Sequence, residues 1–191
     1  HPQRANDPIK IGVQLYTALQ TIVSRNVSPV DNVVVSITEF HSGTAQNIIP
    51  HDANLTASIR TATPEMRDYV EQRFKEICAG VAATFNADIA VDYHRNYPCT
   101  VNHERETEIV ARAADAIVGE QNVNRNAPVR MGSEDFSFML EACPGAYIHL
   151  GSRDEDHTFT VHHPEYDFND DVLGIGASLW AKLVEQELPR K

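Results

Sequence analysis

Residues 53–81 read ANLTASIRTATPEMRDYVEQRFKEICAGV, and the spacing of their apolar side chains changes at Pro64. Before the proline, Leu55, Ala57 and Ile59 alternate with more polar residues, which is typical of a β-strand with one buried face. After it, apolar side chains recur three and four residues apart, at Met66, Val70, Phe74, Ile77 and Val81. This spacing predicts a helix, and proline suits its first turn because an N–H would have no intrahelical partner there. The stretch therefore predicts a strand followed directly by a helix.

A helix and a strand are predicted on the N-terminal side of this stretch. Asp7 and Pro8 are typical of an N-cap and a first helical residue, and we expect the helix to end near Asn26. The β-branched run NVVVSITEF (32–40) predicts a strand, and the connection HSGTAQNIIPHD (41–52) joins it to the next strand. Two strands joined in this way are expected to pair antiparallel.

A third strand is predicted at ADIAVDYHRNY (87–97). The order helix, strand, strand, helix, strand is most of a βαββαβ ferredoxin-like sandwich that lacks its first strand. The sequence begins at His1 without a methionine and reads there like the middle of a loop, so we expect an upstream portion to be absent from it.

The pattern changes after Pro98, and we place a domain boundary near Val101. The elements predicted beyond it are a helix at 104–118, a Gly/Ser-acid turn at MGSEDFSFML (131–140), a short strand at AYIHLGS (146–152) and a last helix from about 169 to 187. The chain is therefore expected to form an α/β protein with domains at 1–100 and 101–191.

The composition argues against several classes of partner. The formal net charge is −11 and no stripe of Lys and Arg occurs, so neither a nucleic acid nor an anionic membrane surface is an expected partner. No apolar run approaches the roughly 18 residues that a membrane span requires. The three cysteines form no CxxC pair, which favours reduced thiols and a cytoplasmic location over a disulfide framework.

Metal ligation is one interpretation of the histidines near the C-terminus. Nine histidines occur, and the densest group is His149, His157, His162 and His163. His162 is the best candidate ligand, because Pro164 fixes the local backbone. The acids Asp167 and Asp170 follow, and either could supply a carboxylate that orients a ligating imidazole. Neither HExxH nor paired CxxC occurs, so the spacing does not define a zinc site, and the alternative is a surface or core histidine.

Two further groups of polar residues have both a structural and a functional interpretation. Ser133, Glu134 and Asp135 lie at a loop-to-helix entry, where they form either an N-cap with acids in the first turn or a polar turn against a substrate or metal. Arg60 interrupts an apolar alternation and either faces solvent or shares a cleft with Asn47. In the second case its guanidinium would bind a substrate carboxylate through two parallel hydrogen bonds.

Several motifs, taken in their order along the chain, resemble one known family. They are DPI (7–9), LQTIVSRNVSPVD (19–31), GTAQNIIP (43–50), LTASIRTATPEMRDYVE (55–71), MGSEDFSFML (131–140), PGAYIHLG (144–151) and HHPEYDFND (162–170). The set resembles the amidohydrolases of the aminoacylase, hippurate hydrolase and carboxypeptidase metallopeptidase family, over essentially the whole chain. The resemblance implies a catalytic α/β domain with two zinc or manganese ions, interrupted by a βαββαβ lid that also mediates dimerisation. Residues 1–100 would be most of the lid, and residues 101–191 the C-terminal segment of the catalytic domain.

The resemblance also implies roles for particular residues. His162 matches a metal ligand of the family, whereas His163 matches a variable position. Asn47 and Arg60 match lid positions that hold the substrate carboxylate. Ser133, Glu134 and Asp135 match a loop beside the metal site. The family's other metal ligands and its general-base glutamate lie upstream of the lid, so no catalytic residue is assigned in this chain.

The implied reaction is hydrolysis of the amide bond of N-acyl amino acids such as hippurate, by a homodimer that pairs through its lid. The 191-residue chain alone is expected to bind metal weakly and to show no turnover, because a catalytic metal needs about three protein ligands. Two alternatives stay open. One is a non-catalytic βαββαβ module that binds a small ligand or a protein partner, and the other is a dipeptidase or deacetylase of the same enzyme class.

Overall fold

The computed structural model describes residues 1–188, which form two compact units. Unit 1 comprises His1–Cys99 and Met131–Ser133, and unit 2 comprises Thr100–Arg130 and the chain from Glu134 onward. The chain therefore leaves unit 1 after Cys99, returns to it for three residues, and leaves it again after Ser133. The first crossing falls beside the boundary predicted near Val101, while the identities given to the two domains stay predictions.

Unit 1 contains the helices and the strand pair expected from the sequence. Its elements are α1 (Pro8–Leu19), a π-helical turn (Ile22–Asn26), β1 (Val33–Ser42), β2 (Ala53–Thr61) and α2 (Pro64–Phe85). The Asp7 carboxylate caps α1 by accepting from the Ile9 backbone N–H at 3.0 Å. Thr63 caps α2 in the same way, accepting from the Met66 N–H at 3.2 Å. Both helices therefore begin at the prolines that the sequence indicated.

The two strands pair antiparallel, as predicted, in a two-stranded sheet. The register runs from Val33 opposite Thr61 to Ser42 opposite Ala53, with an irregularity between Ile37 and Glu39. Strand β2 continues within three residues into α2. This short connection fixes where α2 starts relative to the sheet.

The core of unit 1 forms where α1, α2 and the turn after α1 pack on the strands. Its buried residues are Leu15, Leu19, Ile22, Val33, Val35, Val70, Ile77 and Cys78. Val33 and Val35 alternate on β1, and Leu15 and Leu19 lie four residues apart on α1. On α2, Ile77 and Cys78 lie two turns after Val70, so both hydrophobic periods are seen. Burial also raises the pKa of the Cys78 thiol, which keeps this cysteine neutral and unreactive.

The strand predicted at 87–97 is wrong. This segment pairs with neither strand, and its side chains contact α2 instead. Tyr93 packs edge-on against Phe74, with 5.9 Å between ring centroids, and Arg95 forms ion pairs with Asp68 and Glu71. Ile89 and Tyr93 are partly buried, but they pack against the core of unit 1 and against Phe74 of α2 rather than in a strand ladder. The βαββαβ topology is therefore not confirmed, because the described residues of unit 1 contain two of its strands.

Unit 2 contains the two long helices predicted for it. They are α3 (Glu104–Val118) and α5 (Leu173–Glu187), which pack together, and a short helix α4 (Phe136–Ala142) lies between them in sequence. A 3₁₀ turn (Asp170–Val172) leads directly into α5. Within residues 1–188, no helix has both the length and the apolar character needed to cross a membrane.

The strand predicted at 146–152 is also wrong, because a side chain replaces the ladder. The amide of Asn102 bonds both backbone groups of Tyr147: its Nδ2 donates to the carbonyl and its Oδ1 accepts from the N–H, each at 2.8 Å. The backbone of Tyr147 is thus satisfied without a neighbouring strand.

Candidate functional site

The structure brings together two of the predicted substrate-binding residues, Arg60 and Ser133. Arg60 lies near the end of β2 and is half-buried. Its Nη1 donates to the Met131 carbonyl at 2.7 Å and to the Ser133 Oγ at 3.0 Å. Segment 131–133 belongs to unit 1, so this arrangement is a feature of one compact unit. Arg60 is therefore partly exposed but tied to unit 1 through Nη1, and its predicted role in substrate binding stays a prediction.

The remaining donors of the Arg60 guanidinium have no hydrogen-bond partner within residues 1–188. They are Nε and Nη2, which together form one of the two-donor edges of the guanidinium. Such an edge matches the two oxygens of a carboxylate. Arg60 is thus held at one nitrogen and keeps one complete edge for a ligand.

Asn47 lies apart from this hydrogen-bonded group. It is exposed on the connection between β1 and β2, and it shares no hydrogen bond with Arg60. The predicted cleft that both residues would face stays a prediction.

Glu134 belongs to unit 2, although its neighbour Ser133 belongs to unit 1. Its carbonyl accepts from the fully buried Ser137, at 2.5 Å from Oγ and 3.2 Å from the backbone N–H. Asp135 occupies the N-cap position of α4, as the structural interpretation of this turn expected, but its side chain makes no capping bond and no acid lies in the first turn of the helix. A hydrogen bond to the Glu134 carboxylate raises the pKa of the Tyr147 phenol. Glu134 therefore interacts with the segment 144–151 of its own unit.

His162 occupies a tight turn with an unusual backbone conformation. The His163 N–H donates to the Thr160 carbonyl at 3.1 Å, which closes the turn, and His162 has a φ of 73°. Positive φ in a residue other than glycine costs about 1–3 kcal/mol and is common where function requires a fixed geometry. The His162 side chain is exposed and makes no hydrogen bond or ion pair with residues 1–188. Its imidazole is available as a ligand.

His163, in contrast, is used within its own loop. Its ring stacks on Phe159 with 4.1 Å between centroids and 10° between planes. Its Nδ1 accepts from the Glu165 backbone N–H at 3.1 Å. The structure thus gives adjacent histidines opposite environments, and His163 holds the turn that presents His162.

The histidine that a carboxylate orients in this region is His157, and the carboxylate is Asp154. Asp154 Oδ1 accepts from His157 Nδ1 at 2.8 Å, from the His157 N–H at 2.7 Å and from the Asp156 N–H at 2.9 Å. Its Oδ2 accepts from Asn169 Nδ2 at 2.8 Å, and Asn169 is 8% exposed. Sequence reasoning missed this cluster, because it looked for the carboxylate at Asp167 and Asp170. The one available signal was the D-x-D-H spacing of an Asx turn.

The same contacts shift two pKa values. The hydrogen bond to Asp154 raises the pKa of His157, and the charges of Asp154, Asp167 and Asp156 act in the same direction. Hydrogen bonds from the His157 backbone and side chain lower the pKa of Asp154. The two groups are therefore oppositely charged over a wider pH range than isolated side chains would be.

The described residues do not by themselves form a metal centre. Within residues 1–188, no three His, Cys, Asp or Glu side chains lie together in an arrangement that could hold a metal ion. A catalytic metal usually has at least three protein ligands, and His162 would supply one. The donor set present thus does not fit a complete site.

Comparison with known proteins identifies the family. The chain belongs to the peptidase family M20/M25/M40, whose model matches residues 4–186, so the predicted resemblance is confirmed. It is 37% identical to hippurate hydrolase of Campylobacter jejuni over 182 residues, which are 95% of this chain and 47% of that protein. It is 32% identical to N-acetyldiaminopimelate deacetylase of Priestia megaterium over 191 residues, which are 98% of this chain and 48% of that protein.

A solved structure supports the same assignment. The YXEP protein of Bacillus subtilis, a dinuclear metal binding peptidase from the M20 family, matches with a TM-score of 0.74 and 27% identity. The match covers 93% of this chain and 45% of that one. The chain thus spans about half the length of the relatives that it matches.

Proposed function

We propose that this chain is part of a metal-dependent amidohydrolase that cleaves the amide bond of N-acyl amino acids of the hippurate class. The observation that carries the proposal is the Arg60–Ser133 group, in which a half-buried guanidinium is held at Nη1 and keeps its Nε and Nη2 edge for a carboxylate. N-acyl amino acids carry at least one free carboxylate, and the names of two relatives, hippurate hydrolase and N-acetyldiaminopimelate deacetylase, describe substrates of this kind, with one carboxylate in hippurate and two in N-acetyldiaminopimelate.

Two divalent ions, zinc or manganese, belong to the proposal. When bound, such ions lower the pKa of a water and polarise an amide carbonyl. His162 would supply one ligand, and we assign the others to the half of the relatives that this chain does not cover. Glu134 and Asn47 are proposed as further substrate contacts.

The domain identities follow from the same proposal. Residues 1–100 would be a lid of βαββαβ type through which two copies pair, and residues 101–191 the C-terminal part of a catalytic domain. A cytoplasmic location, expected from the reduced thiols, is proposed with them.

The test compares the KM values of two substrates, measured with the metal-loaded full-length protein that the gene encodes. Hippurate and its carboxamide analogue differ only in the carboxylate that Arg60 would bind. Arg60→Ala is expected to raise KM for hippurate about tenfold or more and to leave KM for the carboxamide nearly unchanged, because a charge-assisted two-point contact is lost. Arg60→Lys should recover little, since an ammonium has no planar edge.

Arg25→Ala serves as the matched control, because Arg25 is an exposed arginine of unit 1 that makes no hydrogen bond with residues 1–188. Equal losses on both substrates for Arg60→Ala would contradict carboxylate recognition. Absence of hippurate turnover by the wild-type full product would contradict the proposed function itself.

A non-catalytic ligand-binding or dimerisation module is the second candidate. The lack of a three-ligand cluster within residues 1–188 favours it. This module would bind a carboxylate ligand through Arg60 without turnover, in the full product as well as in the 191-residue chain. Robust turnover by the 191-residue chain alone would contradict both proposals as stated.

A further inference from the structure

We infer that Asp154 is a positioning residue that fixes the loop presenting His162. The inference rests on the proposed function, in which His162 is a metal ligand. The loop runs from Asp154 to Asn169, and the two side chains at its ends meet directly, with 2.8 Å between Oδ2 and Nδ2. One carboxylate therefore joins the start of the loop to its end.

The Asp154–Asn169 hydrogen bond, called the neck of the loop below, connects the loop to the start of α5. Asn169, whose Nδ2 donates to Asp154, uses its Oδ1 to accept from the Asp171 N–H at 2.9 Å. That second bond caps the 3₁₀ turn that leads into α5. Because Asn169 is almost fully buried, it is a rigid support for the loop end. Asp154 is thereby anchored to a helix rather than to another loop.

A chain of local contacts connects the neck to His162. Asp154 also binds the backbone and side chain of His157, which fixes the first turn of the loop. Arg153 Nη2 donates to the Thr158 carbonyl at 2.6 Å, immediately before Phe159. Phe159 carries the stacked ring of His163, and His163 closes the turn at His162. Each step is a contact between residues close in sequence, so within residues 1–188 the Asp154–Asn169 bond spans more of the chain than any other hydrogen bond of this loop.

The positive φ of His162 explains why such a clamp is needed. A conformation that costs about 1–3 kcal/mol persists only when its surroundings determine it. Loops of 6 to 16 residues whose ends are close can be rigid enough for this purpose. Opening the neck would allow the turn to relax, and the imidazole of His162 would then sample several directions.

The charge-matched variants Asp154→Asn and Asp156→Asn separate the clamp from the charge of the loop. Asp154 accepts hydrogen bonds at both carboxylate oxygens, from backbone N–H groups at Oδ1 and from the Asn169 amide at Oδ2. An asparagine at position 154 has one oxygen, so in either orientation its NH₂ group faces one of these donors. The Asp156 side chain makes no hydrogen bond with residues 1–188, so its replacement removes a charge and leaves the neck intact.

An exchange of partners supplies the rescue. In the double variant Asp154→Asn/Asn169→Asp, the donor and the acceptor of the neck are swapped, and the new carboxylate at position 169 can still cap the N–H of Asp171. The single variant Asn169→Asp places two carboxylates face to face and is expected to behave like Asp154→Asn.

The first readout is NMR on the 191-residue chain without metal. For Asp154→Asn we expect amide exchange in residues 157–165 to accelerate about tenfold or more, and the imidazole resonances of both His162 and His163 to shift. The exchange of α3 amides should stay unchanged. The double variant should return most of the protection, and Asp156→Asn should match wild type. Unchanged exchange and resonances in Asp154→Asn would overturn the inference, as would failure of the double variant to restore them.

The second readout is the zinc affinity of the full product of the gene. Asp154→Asn should lower it about tenfold, as expected for a residue that orients a ligand, and the double variant should restore it. An opened loop with unchanged affinity would overturn the inference while leaving the proposed function intact. If His162→Ala also leaves the affinity unchanged, His162 is not a ligand and the proposed metal site fails. The NMR result then decides alone whether Asp154 fixes the loop.

Discussion

At the scale of single residues, the adjacent histidines His162 and His163 differ in backbone conformation and in the contacts of their rings. His162 has a positive φ and an imidazole that makes no hydrogen bond with residues 1–188, whereas His163 stacks on Phe159 and accepts from the Glu165 N–H. The strained backbone therefore lowers stability at position 162, and the stacked ring raises it at position 163. This difference gives opposite expectations for the same substitution.

We expect His162→Gly to leave the free energy of unfolding unchanged or to raise it by up to about 1 kcal/mol, because glycine adopts positive φ without strain. His163→Gly should lower it by about 1–2 kcal/mol, because a ring contact and a hydrogen-bond acceptor are lost. Urea unfolding without metal measures both. A larger loss for His162→Gly than for His163→Gly would contradict this account of the turn.

The Asp154–His157 pair should make stability depend on pH in a defined direction. The folded state holds the His157 proton more tightly than the unfolded chain does, so this contribution is complete below about pH 6.5 and is lost as pH rises through the raised pKa. The lowered pKa of Asp154 adds a contribution that is complete above about pH 3.9 and is lost as pH falls through the lowered value. Between these limits both contributions are present.

An NMR titration of His157 checks this assignment. In Asp154→Asn the pKa of His157 should fall towards the ordinary histidine value, because the first cause of its increase is removed. In Asp156→Asn the decrease should be smaller, since only a neighbouring charge is lost. A pKa that stays high in Asp154→Asn would assign the shift to another group.

Sequence reasoning identified single residues better than it identified their partners. Arg60 was noticed because a cation interrupted an apolar alternation, but Ser133, which it contacts, lies 73 residues away. The Asp154–Asn169 bond joins residues 15 apart in irregular structure. Neither bond has a periodic signature, because periodicity describes how an element faces a core and not which polar groups meet.

At the scale of elements, α5 is apolar on two sides. Leu179 is 6% exposed in a helix that packs on α3, whereas Leu173, Trp180, Val184 and Leu188 in and just after the helix are each more than half exposed. A helix that is apolar all round is usually buried. Besides packing on α3, the helix has Leu150 close to Gly176, whereas the four large apolar side chains named above stay exposed within residues 1–188.

Neighbouring residues of α5 should therefore respond differently to truncation. Leu179→Ala is expected to lower the free energy of unfolding by about 2–5 kcal/mol, because a buried side chain leaves a cavity. Trp180→Ala, at 64% exposure, should change it by less than about 1 kcal/mol despite removing a larger side chain. Denaturant unfolding followed by circular dichroism measures both without relying on the tryptophan signal. Similar losses for the two variants would show that the exposed side is covered in solution.

The sequence predicted the long helices and the strands β1 and β2 correctly, whereas the strands predicted at 87–97 and 146–152 are not formed. Caps and prolines mark the start of α1 and α2, and apolar residues three and four apart mark their buried sides. The segments 87–97 and 146–152 were predicted as strands, but neither pairs with a strand, because pairing depends on a neighbour that the local sequence does not contain. In the second segment, the neighbour is the side chain of Asn102.

At the scale of the whole molecule, the described residues contain no complete metal centre. Metal that binds only the folded state stabilises it in proportion to the logarithm of concentration over Kd. For the 191-residue chain we expect EDTA to leave the midpoint of thermal unfolding unchanged. Zinc added at about the concentration of the protein should raise this midpoint by no more than about 1 °C. Calorimetry with and without chelator tests this. A large loss of stability in EDTA would reveal a tight metal site formed by this chain alone.

The return of three residues, Met131–Ser133, to unit 1 limits how the protein can be dissected. A fragment cut after Cys99 would keep all of β2 and α2 yet strip the Arg60 Nη1 of both acceptors, so its guanidinium would rotate freely and its affinity for carboxylates would be misread. Supplying those residues as a separate peptide would restore the chemistry only against the entropy of bringing two molecules together. A fragment of this protein should therefore be used to study Arg60 only if it retains residues 131–133. A gene that fuses these three residues to the segment 1–99 would encode all of unit 1 in one chain.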